Sequence, residues 1–156
     1  MKQRPMAVVL VATAIAMSST TLVLSENPQR AIADYAVTGD AIVEPLTPEA
    51  GNAARGRQIV LDRETGNCLI CHKVPEPTEP FQGDLAPDLG GIGRRLTAGQ
   101  IRLRLVDESR LNPQTLMPPY YRVDGLNRVA ARYRSKPVLT AQEIEDVVAY
   151  LGTLTQ

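Results

Sequence analysis

The sequence predicts an all-α protein with a single domain, and three observations support this fold class. Two capping-box sequences open segments with helical spacing, and a third such segment begins with threonine followed by proline. No stretch alternates polar and apolar residues over a useful length. The 156 residues match the size of one domain, while twelve prolines and eleven glycines indicate long loops between the helices.

Residues 1–33 have the pattern of a secretory signal peptide. Basic residues precede an almost continuous apolar stretch from Met6 to Met17. Ala31-Ile32-Ala33 then matches the small-x-small pattern of a cleavage site, so we predict cleavage before Asp34 and delivery of the remaining chain to the periplasm. The alternative is an uncleaved N-terminal anchor helix, because the apolar span approaches membrane length if its serine and threonine residues are ignored.

The charges of the remaining chain are unevenly distributed. Residues 34–93 carry a net charge of −6 and residues 94–136 a net charge of +7. This asymmetry could steer a partner or pair with ionised groups of a cofactor, and it could equally reflect two solvated faces. The basic half lacks interleaved aromatic residues, which argues against nucleic-acid binding. We expect no membrane association once the signal peptide is removed.

We predict an extended, poorly structured leader over residues 34–47 and a folded domain over residues 48–156. Thr47 is expected to cap a first helix from about Pro48 to Asp62. Gly56 lies on the apolar stripe of that helix, where a bulky residue would be usual. A glycine at such a position indicates the close approach of another backbone or of a ring.

Two further helices are predicted from their capping boxes. The first begins after Thr97 and continues to about Val106, and the last begins after Thr140. Proline-rich loops are expected between the helices, from Val74 to Gly93 and from Asn112 to Tyr121. The predicted architecture is therefore helical, without repeats.

The segment Cys68-Leu69-Ile70-Cys71-His72 carries the main chemical signal. Thiols two residues apart can each bond one vinyl group of a haem, and the adjacent imidazole can then ligate the iron. A zinc site is the first alternative, but the chain has two cysteines and one histidine where zinc needs four ligands. A thioredoxin-like pair expects a βαβ setting, of which the sequence gives no sign. We therefore predict one covalently attached haem c, bound through Cys68 and Cys71 with His72 as a ligand.

Met117 is the predicted sixth ligand of the iron. No second histidine exists, and the other three methionines lie in the predicted signal peptide. Met117 precedes two prolines, which stiffen the loop that presents its thioether. A core-filling role is the alternative for Met117, in which case Lys73, Lys136 or a tyrosine could be the sixth ligand. His72 and Met117 together would leave no open iron position, so we predict no catalytic residue in this chain.

Other residues give weaker signals. Four loop residues could meet the haem propionates or could simply be solvated: Arg94, Arg95, Tyr120 and Tyr121. Tyr150 on the last helix is expected to pack against the stripe around Gly56.

The order of helices, haem motif and methionine loop resembles a class I cytochrome c. More specifically, four segments are similar to SoxX, the monohaem subunit of the SoxAX complex of bacterial thiosulfate oxidation: Gly66 to His72, Ala86 to Gly93, Arg102 to Asp107, and Asn112-Pro113 with Leu116-Met117-Pro118. The resemblance covers the chain from Gly51 to its last residue.

This resemblance implies the fold of a class I cytochrome c, with helices around one haem, and a heterodimer with the SoxA cytochrome. In the family, that complex is an L-cysteine S-thiosulfotransferase, which joins thiosulfate oxidatively to a cysteine of the SoxYZ carrier. SoxX would relay the electrons to a downstream soluble cytochrome c without itself being catalytic. A free-standing periplasmic electron shuttle remains the alternative function, and a structural haem subunit of a different oxidase complex is a further one.

Overall fold

The structure is a computed structural model that describes residues 32–156, and most of the predicted signal peptide lies outside this part. The described chain contains four α-helices: α1 (Ala53–Leu61), α2 (Ile92–Arg95), α3 (Ala98–Asp107) and α4 (Ala141–Thr153). Short 3₁₀ turns lie at Cys68–Ile70, Glu108–Arg110 and Ala131–Tyr133. Between residues 32 and 156 there is no strand, only an isolated bridge between Thr38 and Ala41, so the all-α prediction is confirmed.

Within the same residues, none of the helices combines the length and apolar character that crossing a membrane requires.

Helix α1 begins later than predicted. Asn52 caps it by accepting a first-turn amide, so the expected start at Pro48 is wrong. The Thr47 hydroxyl, expected to form that cap, instead donates to the side chain of Gln142 on α4 at 2.7 Å. The amide of Asn52 likewise donates to the carboxylate of Asp146 at 2.7 Å. These contacts with α4 hold the preceding residues in a non-helical path.

The other two long helices begin where their capping boxes place them. Thr97 and Gln100 form a complete box at α3, and Thr140 and Glu143 form one at α4. Helix α2 was not predicted and lies at the end of the long proline-rich loop. It covers only one turn, which is too short to produce a periodic signal.

Gly56 of α1 lies directly against the backbone of α4. A Cβ atom at this position would overlap the carbonyl oxygen of Asp146 and would lie 2.9 Å from the amide nitrogen of Val147. The expectation of a close neighbour is therefore confirmed, and that neighbour is the backbone of α4. This contact fixes how closely the two helices pack.

The segment from residue 34 to 47 is extended, but it is packed against the helices and is not poorly structured. Ile42 and Leu46 are buried in the core. Arg102 of α3 donates to the carbonyl of Ile42 at 2.7 Å, and the amide of Leu46 donates to Glu145 of α4 at 2.8 Å. The segment's own sequence does not reveal these contacts because the partners lie far along the chain.

Replacing Gly56 with alanine should destabilise the protein by roughly 1–3 kcal/mol, the usual cost of forcing a methyl group into a packed contact. Urea unfolding of the variant and its parent measures the difference. Gly152 of α4 provides the control, because a Cβ there meets no atom within 4 Å. Gly152→Ala should be neutral or gain up to about 1 kcal/mol from better helix propensity. Unchanged stability of Gly56→Ala would contradict the close contact between α1 and α4.

Candidate functional site

Asp62 shapes the turn that leads from α1 to the two cysteines. Its carboxylate accepts the amides of Thr65 and Glu64 at 2.8 and 2.6 Å, and its carbonyl accepts the amide of Asn67 at 2.8 Å. The amide of Thr65, followed by that of Glu64, favours the ionised carboxylate, so the pKa of Asp62 is lowered. Asn67 is left-handed, with φ of 51°, a conformation that asparagine tolerates better than most residues. This turn brings the chain directly into Cys68.

One short turn contains both cysteines and the histidine. The amides of Cys71 and His72 donate to the carbonyl of Cys68 at 3.2 and 3.0 Å. Leu69 is buried beneath the turn, whereas Ile70 faces solvent. Two thiols and an imidazole are therefore presented by a single compact unit.

A backbone carbonyl fixes the tautomer of His72. Its Nδ1 atom lies 2.7 Å from the carbonyl oxygen of Pro87. Because a carbonyl can only accept, Nδ1 must carry the proton and donate it. The Nε2 atom then keeps its lone pair for a metal ion, an arrangement typical of ligating histidines.

The proline-rich loop that supplies Pro87 runs along the haem motif. Amides of Gly83 and Ala86 donate to the motif carbonyls of Leu69 and Cys71 at 2.8 and 2.9 Å, and the amide of Leu89 donates to the carbonyl of Lys73, directly after the motif, at 2.9 Å. The loop therefore wraps the motif, and its hydrogen bonds set the position of Pro87.

Glu76 attaches this loop to two helices. Its carboxylate accepts two hydrogen bonds from Arg57 of α1, both at 2.7 Å, and a third from the hydroxyl of Tyr150 of α4 at 2.9 Å. Arg57 is the largest cause of the lowered pKa of Glu76. The hydroxyl of Tyr150, a residue expected to pack near Gly56, thus serves to hold the loop.

Tyr120 connects the methionine loop to the cysteine turn. Its amide donates to the carbonyl of Leu105 in α3 at 3.0 Å, and its hydroxyl donates to the carbonyl of Gly66 at 2.8 Å. Burial, and then the neighbouring Cys68 thiol, raises the pKa of Tyr120, so the phenol remains a hydrogen-bond donor. Met117 lies three residues before Tyr120 and packs, partly buried, against the core. The only methionine between residues 32 and 156 is therefore on a loop that is joined to the cysteine turn.

The burial of Cys68 disfavours a thioredoxin-like redox pair. Burial is the main cause that raises the pKa of Cys68 to about 11, whereas a redox-active thiol needs a lowered pKa. Residues 32–156 contain no group of three or more His, Cys, Asp or Glu side chains placed to hold a metal ion. Paired thiols, an imidazole with a free Nε2 and a thioether on the loop that Tyr120 joins to the cysteine turn together fit a covalently bound haem.

The residues considered for propionate contacts have different surroundings. The Arg95 guanidinium donates to two carbonyls of the preceding loop at 2.5 and 2.9 Å. The hydroxyl of Tyr120 is bound as described. The hydroxyl of the fully buried Tyr121 accepts the amide of Ala33 at 2.5 Å, a partner that the predicted cleavage before Asp34 would remove. Arg94 is exposed. Within the predicted mature chain, the polar groups of Arg95 and Tyr120 therefore already have partners.

Sequence reasoning missed the Pro87 carbonyl and the Tyr120 hydroxyl as parts of the site. A backbone acceptor carries no signal in residue type. The bond from Tyr120 to Gly66 joins positions 54 residues apart, so no local pattern could reveal it.

Comparisons with known proteins support the same interpretation. No protein-family model and no curated protein sequence matches the chain. Among solved structures, a chain in the crystal structure of SoxXA from P. pantotrophus matches with a TM-score of 0.73 and 35% sequence identity. The match covers 78% of this chain and 95% of that one. The fold is that of a class I cytochrome c.

The likeness to this relative extends from the fold to the sequence. With 35% identity over nearly the whole of the matched chain, the protein belongs to the SoxX family of cytochromes.

Proposed function

We propose that this chain binds one haem c and transfers single electrons as a subunit of a SoxAX complex. Cys68 and Cys71 would hold the haem covalently, and His72 and Met117 would be the axial ligands. The hydrogen bond from His72 Nδ1 to the Pro87 carbonyl carries the proposal, because it leaves Nε2 free within the same turn as both thiols. Family membership and the likeness to SoxXA support it independently.

The residues of the chain would act by holding both ligands in fixed positions. Pro87 orients the imidazole, and Tyr120 connects the loop of Met117 to the cysteine turn. Haem supplies a one-electron iron couple when bound, and a thioether ligand raises its reduction potential relative to a second histidine. Ligands that move little on reduction suit electron transfer, and if His72 and Met117 both bound the iron, no position would be left for a substrate.

The proposed place of the chain in the complex follows from this chemistry. Joining thiosulfate to a cysteine of SoxYZ forms one sulfur–sulfur bond and removes two electrons. Both cysteines of this chain would be bonded to haem, so no free thiol remains for that step. We therefore assign bond formation to SoxA and the acceptance of electrons, one at a time, to this chain. A soluble cytochrome c would then receive them.

We place this activity in the periplasm. The signal-peptide pattern of residues 1–33 supports export, with cleavage between Ala33 and Asp34. The cytochrome domain would comprise residues 48–156, preceded by the extended segment of residues 34–47, which packs against α3 and α4.

In the haem-loaded protein, Met117→Ala should lower the reduction potential and allow the reduced protein to bind carbon monoxide rapidly, because the thioether would be lost from the sixth position. Redox titration and visible spectra with and without carbon monoxide measure both effects. Leu116→Ala is the matched control, since this neighbouring side chain is 79% exposed, and it should change neither property. Rapid carbon monoxide binding by the parent protein, or an unchanged spectrum in Met117→Ala, would rule out Met117 as a ligand.

Thiosulfate should reduce the haem of this chain only when SoxA and SoxYZ are both present. Stopped-flow spectroscopy of the reconstituted complex measures the reduction. SoxYZ with its carrier cysteine changed to serine is the control and should abolish it. If the tagged chain instead purifies without SoxA and its haem stays oxidised in the full mixture, the free-standing shuttle is the better explanation.

A further inference from the structure

A long basic loop follows the methionine loop in the chain. We use the name basic loop for residues 122–138. The amide of Leu139 donates to the carbonyl of Tyr120 at 2.9 Å, so both ends of the loop meet at Tyr120. Tyr120 also binds Gly66, two residues before Cys68. The loop is therefore anchored at the methionine side of the proposed haem site.

Four cations of the basic loop are exposed: Arg128, Arg132, Arg134 and Lys136. Within residues 32–156, no carboxylate lies within 4.0 Å of any of them. Arg122, at the start of the loop, is instead paired with the buried Asp107 at 2.7 Å. Asp124 is the only acidic residue of the loop. The loop therefore carries a net positive charge that the described part of the chain leaves unpaired.

The loop also forms an open groove of about 450 Å³ that apolar and cationic residues line together. Three aliphatic residues contribute to it, namely Val123, Leu126 and Val129, together with Arg128, Arg134 and Ser135. Arg128 and Ser135 have positive φ values of 57° and 55°, which fold the loop back on itself. The Arg132 guanidinium lies 4.8 Å from the centre of the Tyr133 ring, which favours one orientation of that cation.

We propose that the basic loop docks an acidic surface of a protein redox partner. The redox role of that partner rests on the proposed function, while the acidic character follows from the unpaired cations. Four exposed cations, two of them lining an open groove, favour an extended acidic surface over a small anion, which needs an enclosed site. Docking beside the methionine loop would bring the partner close to the haem. The charge asymmetry that the sequence left unexplained thereby acquires a role in steering.

Binding of a fluorescein-labelled peptide of ten glutamates to the haem-loaded protein tests this inference by fluorescence anisotropy. Arg132→Gln/Arg134→Gln should weaken binding about fivefold, since each exposed ion pair contributes modestly. Ala54→Glu/Gln58→Glu on the exposed face of α1 changes the net charge equally and is the control. The control should weaken binding less than twofold. Raising the ionic strength from about 20 to about 200 mM should weaken binding to the parent protein.

Equal weakening by both double variants would overturn the proposal, because net charge alone would then explain binding. Displacement of the peptide by sulfate at the same charge concentration would also overturn it and would indicate a small-anion site. Concentration-dependent self-association that Arg132→Gln/Arg134→Gln abolishes would replace the redox partner with a second copy of the chain. The peptide assay does not depend on haem reduction by thiosulfate. The docking proposal and the proposed function can therefore fail independently of each other.

Discussion

A buried ion pair between Arg102 of α3 and Glu145 of α4 determines how the helices are arranged. Both side chains are 5% exposed, and two hydrogen bonds of 2.7 and 2.8 Å join them. A buried charge without its partner is strongly unfavourable, so neither helix can move without the other. Arg102 also donates to the carbonyl of Ile42, and Glu145 also accepts the amide of Leu46. These two hydrogen bonds attach the N-terminal segment to the same helix pair. Three distant parts of the chain therefore share one constraint.

The haem site depends on this unit through two connections. The carbonyl of Leu105 in α3 holds Tyr120, which bridges the methionine loop and the cysteine turn. Helix α4 holds α1 through the close contact at Gly56, and α1 leads into the turn before Cys68. The ligand loops have almost no regular structure of their own, so their positions come from these contacts. This dependence would let a loop-rich chain hold the proposed ligands in fixed positions.

The features that local sequence determines were predictable. Capping boxes placed the starts of α3 and α4, and Gly56 indicated a close neighbour, because each signal is contained within a few residues. The haem motif and the single available methionine named two residues for haem attachment, Cys68 and Cys71, and two candidate iron ligands, His72 and Met117, and all four stay predictions. The start of α1 was predicted wrongly because Thr47 is bound by α4.

The features that distant contacts determine could not be predicted. The packing of residues 34–47 depends on Arg102 and Glu145, which lie about 60 and 100 positions away. The orientation of His72 depends on a backbone oxygen of Pro87, 15 residues later, which any residue could supply. Such contacts require the fold to be known, because they carry no signature in residue type or spacing.

The mass of the denatured protein tests the central claim most directly. The chain should be expressed with its full N-terminal region in a host that exports proteins and attaches haem c. We expect the mass of the chain from Asp34 plus one haem that survives denaturation, and we expect that haem to be lost in Cys68→Ser/Cys71→Ser. A chain of unmodified mass with two titratable thiols, obtained from a host that correctly matures another c-type cytochrome, would contradict it.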